Sequence, residues 1–67
     1  MWVDVNERQP ERQGDYRVMR RAFGGRPEYE DICHWVMPEI YRPDQPTGYW
    51  ANRTWVVINT VTKWWEA

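Results

Sequence analysis

Apolar and polar residues alternate in short runs along this chain, and no window keeps a helical apolar period beyond two turns. The pattern predicts a β protein. Trp2 to Val5 reads apolar, apolar, polar, apolar, after which residues 6–15 are wholly polar apart from Pro10 and Gly14. This predicts a surface turn region leading into a strand, with Pro10 barring any long helix. In Tyr16-Arg17-Val18-Met19-Arg20-Arg21, Tyr16 and Val18 share one face, and Arg17, Met19 and Arg21 the other, as strand geometry requires.

Phe23-Gly24-Gly25-Arg26-Pro27 is the strongest turn signal, because paired glycines permit positive φ and Pro27 lacks an amide donor. Two strands joined here form a hairpin, the second running from about Glu30 to Met37. Pro38, Pro43 and Pro46 then bracket a long loop that ends near Gly48. Ile40 and Tyr41 within it and Tyr49 and Trp50 just after it read either as a contact surface or, for Tyr41 and Trp50, as a lid folded back on the core. Trp55-Val56-Val57-Ile58 is the most β-prone run, and its continuity predicts a central strand covered on both faces. Asn59-Thr60 offers a turn, and Val61 to Trp65 a last short strand. The expected fold is mainly β: one small domain over residues 1–67, a single antiparallel sheet of three to four strands with a long Pro-rich loop and little helix.

Composition adds that the core is aromatic. The chain has 67 residues with six Trp and four Tyr, and Trp2, Trp64 and Trp65 lie near its two ends. Large rings at both ends predict termini drawn into one core. The mean hydropathy of −0.94 understates this, since that scale scores Trp and Tyr as polar. So short a chain sits near the size at which a core barely outweighs chain entropy, so stability is modest or shared with a partner. The net charge of −1 provides no global field for nucleic acid or an anionic membrane. Locally, residues 1–27 hold six basic against four acidic groups (+2), and residues 28–67 three against six (−3). Arg17, Arg20, Arg21 and Arg26 precede Glu28, Glu30 and Asp31, so pairing of the two strands sets the runs opposite each other and largely cancels them.

The single Cys33 forms no internal disulfide, which fits a reducing compartment. The start has neither the basic residues nor the apolar run of a signal peptide, and no stretch has the ~20 apolar residues of a membrane helix. The expected location is the cytoplasm.

The opening Trp2-Val3-Asp4-Val5, the Gln9-Pro10 turn, the strand start Gly14-Asp15-Tyr16-Arg17-Val18 and the closing Val61-Thr62-Lys63-Trp64-Trp65 form a connected pattern. The chain resembles a family of small proteins of unknown function found in tailed phages and prophages. Members of that family begin with Trp-x-x-Val, pass through a Leu-Pro turn into a Tyr-x-Val strand and end in Val-Thr-His-Trp. The resemblance spans nearly the whole length apart from the middle. Gln9 stands where leucine is usual and Lys63 where histidine is usual, and the family's Pro-rich tail does not follow Glu66-Ala67. The resemblance implies a phage or prophage origin, action in a host cell, and no assigned activity.

His34 beside Cys33 suggests a metal pair or an activated thiol, but neighbours on a strand point to opposite faces, so the two cannot meet one ligand. A buried cysteine and a half-exposed histidine are expected. Glu28, Glu30 and Asp31 flank four arginines that keep them ionised, which is unsuited to general acid chemistry. Gly24-Gly25-Arg26 lacks the spacing and lysine of a phosphate loop. We therefore expect no enzyme, no cofactor and no metal.

Trp, Tyr, Met and Arg are enriched at interface hot spots, and so small a core cannot hide all of them. The leading expectation is a protein-interaction module, through Ile40, Tyr41, Tyr49 and Trp50, that acts on a host protein, including a defence system, or self-associates. The alternative is single-stranded nucleic-acid binding by a sheet face with Tyr16, Arg17, Arg20, Arg21 and Trp35, since rings interleaved with arginines hold single strands.

Overall fold

The computed structural model describes residues 1–37 and 48–67. These residues form no helix. They form six strands: β1 (Trp2–Asp4), β2 (Gly14–Arg20), β3 (Tyr29–Val36), β4 (Tyr49–Ala51), β5 (Val57–Ile58) and β6 (Val61–Trp65). All pairings are antiparallel, in one sheet of order β1-β6-β2-β3-β4-β5. The mainly β, single-sheet expectation therefore holds, with six strands rather than three to four. The additional strands are two three-residue pieces, β1 and β4, which pair with β6 and with β3.

The hairpin forms where the glycines place it. Gly24 and Gly25 both take positive φ, 67° and 68°, the signature of a primed turn, and the Arg26 amide donates to the Phe23 carbonyl at 3.4 Å. The register sets Tyr16 against Cys33 and Gly14 against Trp35. Val18 also pairs with Trp64, Trp64 with Val3, and Trp35 with Trp50, so all these side chains share one face. That face is the core: Val3, Val18, Cys33, Trp35, Trp50 and Trp64 are buried, with Tyr16 and Ile58 packed against them.

A flat six-stranded sheet could not be closed by this chain. β5 and β6 lie four places apart in the sheet, about 19 Å at normal strand spacing. Only Asn59 and Thr60 join them, and the three steps from Ile58 to Val61 reach at most about 11 Å. The sheet must therefore curl, with its aromatic face inward.

The segment between β1 and β2 lies against that face. Pro10 is buried, and three ring tips donate hydrogen bonds to the segment: Trp64 Nε1 to the Arg8 carbonyl at 3.0 Å, Trp50 Nε1 to Gln9 Oε1 at 3.2 Å, and the Tyr16 hydroxyl to the Arg12 carbonyl at 2.8 Å. Each buried polar tip is thereby satisfied. Trp35 Nε1 is the exception, being buried without a partner among the described residues.

The Trp55–Ile58 run corrects the sequence reading. It is not a central strand: β5 is a two-residue edge strand, and Trp55, Val56 and Val57 are 65%, 56% and 63% exposed. A continuous apolar run is buried on both faces only when neighbours cover it, and here the chain turns at Trp55 and no strand pairs with the outer edge of β5 among the described residues. Of the rings near the chain ends only Trp64 enters the core. Trp2 and Trp65 meet edge to face on the outer side at 5.3 Å, with the Arg17 guanidinium 5.6 Å and 5.1 Å from their centroids.

Candidate functional site

On the outer face, β2 and β3 bring Asp15 opposite His34. His34 Nδ1 donates to Asp15 Oδ1, since an ionised carboxylate only accepts. The imidazole also lies flat against the Trp55 indole, with centroids 3.8 Å apart and planes within 5°. The Asp15 contact and the stack fix the ring from two directions. Beside it a cleft of about 230 Å³ is lined by Gln13, Gly14, Val36 and these three side chains.

Trp55 reaches this position through an unusual backbone. Its amide donates to the Asn52 carbonyl at 2.9 Å, and the Asn52 amide donates to the Val56 carbonyl at 3.0 Å, so a three-residue loop of Arg53, Thr54 and Trp55 closes the β4–β5 hairpin. Asn52 Oδ1 accepts from the Thr54 and Val56 amides and the Thr54 hydroxyl. In such loops the last residue takes the left-handed conformation, a place usually filled by glycine. Trp55 occupies it at φ 66°, the only non-glycine residue at positive φ among those described. A bulky residue there is strained.

Tyr49, half-exposed, and Val57 lie on the same outer face as Ala51, next to this ring. Of the other residues expected at a contact surface, Trp50 is buried against Trp35 and Tyr16, which is the lid alternative. Ile40 and Tyr41 lie outside the described residues.

The residues expected to form a nucleic-acid face are not gathered on one. Trp35 is buried, Tyr16 sits between Trp50 and Trp64, and Arg17 is on the opposite face, paired with Glu30 at 2.9 Å. Arg20 is half-buried and paired with Asp31 at 3.0 Å. Burial raises the Asp31 pKa, but the Arg20 hydrogen bond, the Ile32 amide and the charges of Arg20 and Arg53 outweigh it and hold the carboxyl below its usual range. Two of the four arginines thus cancel against the acidic run, fewer than the charge pattern predicts; Arg21 and Arg26 have no carboxylate within salt-bridge distance among the described residues.

Cys33 points into the core, away from His34, and burial pushes its thiol pKa up, with Asp31 adding to the shift. No group of three or more metal-ligating side chains occurs among the described residues. No helix there is long and apolar enough to cross a membrane.

Trp55 and the Asp15–His34 pair are what sequence reasoning missed. The available signal was Asn52, whose side chain favours a turn, three residues before Trp55. No family model, curated protein or solved structure matches this chain.

Proposed function

We propose that this protein is a non-enzymatic protein-interaction module whose contact surface is centred on Trp55. The observation that carries the reading is the strained, two-thirds-exposed indole of Trp55, held flat on a histidine that Asp15 fixes in turn. Rigid exposed rings make good anchors because little side-chain freedom is lost when a partner covers them. Tyr49 and Val57, exposed on the same face, extend the apolar surface, and β5 has no strand on its outer edge among the described residues. The partner is another protein: a host protein, as the phage resemblance implies, or a second copy of the chain.

The test is a tagged pull-down from bacterial lysate with nuclease present, comparing wild type with Trp55→Ala, alongside size-exclusion chromatography with light scattering. A near-stoichiometric protein, or a dimer, that is retained by wild type and lost in the variant supports the reading. Capture and oligomeric state unchanged by Trp55→Ala exclude Trp55 as the contact surface.

A further inference from the structure

At the other end of the β2–β3 pair from His34, where Arg20 faces Tyr29, lies a second open cleft of about 450 Å³. Arg20, Arg21, Phe23, Arg26, Tyr29 and Thr60 line it, and among the described residues no carboxylate does. Of the acids closest in sequence, Glu28 faces Lys63 at 3.9 Å and Glu30 holds Arg17, whereas Asp31 neutralises Arg20 itself, with Arg53 at 3.9 Å, which leaves Arg21 and Arg26 as the cleft's uncompensated charges among the described residues. Arg21 also borders the neighbouring cavity that contains Glu28, at a distance beyond a salt bridge.

Arg20 forms a fixed floor. Its Nε donates to Thr60 Oγ1 at 3.1 Å, its Nη1 to Asp31, and its guanidinium lies 5.6 Å from the centre of the Tyr29 ring. Phe23 stands 88% exposed at the turn, with open space beside Gly24 and Gly25. An apolar ring so exposed at the lip of a cationic cleft serves no packing role in the isolated chain.

We propose that this cleft binds a phosphate ester carrying a planar ring, the chemistry presented by a free nucleotide or by a single-stranded nucleic acid. Arg21 and Arg26 meet the phosphate, whose oxygens match guanidinium geometry. Phe23 and Tyr29 stack on the ring, a contact that every base offers. The site differs from the sheet face expected from the sequence, keeping Arg20 and Arg21 and replacing Tyr16 and Trp35 by Phe23 and Tyr29. It is independent of the Trp55 surface.

The test is fluorescence anisotropy of the full chain with a labelled oligothymidine of about ten nucleotides and, separately, with labelled AMP, each competed with unlabelled AMP and with inorganic phosphate. Phe23→Ala and Arg26→Gln change exposed turn residues, and unaltered melting curves establish that both variants fold. The expected result is binding of the strand, of AMP, or of both, weakened about five-fold or more by Phe23→Ala. Arg26→Gln lowers the log–log salt slope of strand binding by about 0.7. Competition by AMP at similar concentration identifies a free nucleotide as sufficient, and its failure identifies the single strand. Absence of binding by both overturns the proposal, as do affinities unchanged in both variants or inorganic phosphate competing as well as AMP. Trp55→Ala leaves this binding intact, so failure here and failure of the protein-interaction reading are distinguishable.

Discussion

Replacing Trp55 by alanine and by glycine separates the strain at this position from the contacts of its ring. Both substitutions remove the stack on His34, worth about 0.5–1.5 kcal/mol. Both also remove whatever apolar area the indole covers, so these losses cancel when the two variants are compared. What differs is the backbone. At φ 66° a Cβ costs about 1–2 kcal/mol, which alanine keeps and glycine sheds. Against this, glycine has the more flexible unfolded chain, a disadvantage of about 0.4–1 kcal/mol. The net expectation is that Trp55→Gly is more stable than Trp55→Ala by about 1 kcal/mol, although both have lost the same ring. At an ordinary strand position the order is the reverse. In thermal unfolding followed by circular dichroism, about 1 kcal/mol corresponds to roughly 4–8 °C for a domain of this size. Protein capture should fail in both variants, so the more stable one is no more functional. If Trp55→Ala melts at or above Trp55→Gly, no strain is stored at Trp55 and the case for a poised anchor falls with it.

Gly48→Ala would drive a Cβ into the Trp35 indole, and overpacking against a buried ring should cost about 1–3 kcal/mol in urea unfolding; an unchanged midpoint would show that the two do not touch. Asp31, whose pKa is lowered in the folded state, contributes stability above its unfolded pKa of about 4, and that contribution is lost as pH falls through the lower folded value. Asp31→Asn should therefore lower stability at pH 7 and flatten the decline between about pH 5 and 2, whereas a parallel decline would refute the pairing with Arg20. Cys33 is fully buried with a raised pKa, so a thiol reagent at pH 8 should modify it only as fast as the protein opens, and adding denaturant should speed the reaction; prompt labelling of the native protein would contradict its burial.

The β2–β3 hairpin was legible because alternation over Tyr16–Arg21 and the paired glycines point to one structure. β6 was legible as a strand but its irregularity was not: Val61 and Trp64, three residues apart, are both buried because the register shifts opposite Met19 and Arg20. Strand order was not legible. That β6 lies between β1 and β2 depends on partners far apart in sequence, such as Val3 and Trp64, which no local pattern records. The Trp55–Ile58 run misled because hydrophobicity signals burial only when something covers the residues, and here a left-handed turn residue carries no glycine to mark it. For the charges, composition foretold opposed basic and acidic runs. Only the register shows that Arg17 and Arg20 are paired within the sheet and that Arg21 and Arg26 face the cleft at its end. The His34–Asp15 contact depends on the same register.

The insertion of the last strand between the first two has a consequence for how the chain reaches its native state. Until β6 is made, β1 has no neighbour in the sheet and β2 lacks the one on its other side. The indole that bonds the Arg8 carbonyl is also missing, 56 residues downstream. A chain still leaving the ribosome can form the β2–β3 hairpin from local contacts, but the curled sheet must await residues 61–65. Assembly then requires closing the largest loops in the molecule in one concerted step, which favours slow, all-or-none folding over gradual accretion. Deleting residues 61–65 would remove an interior strand, and the damage would extend to both of its neighbours.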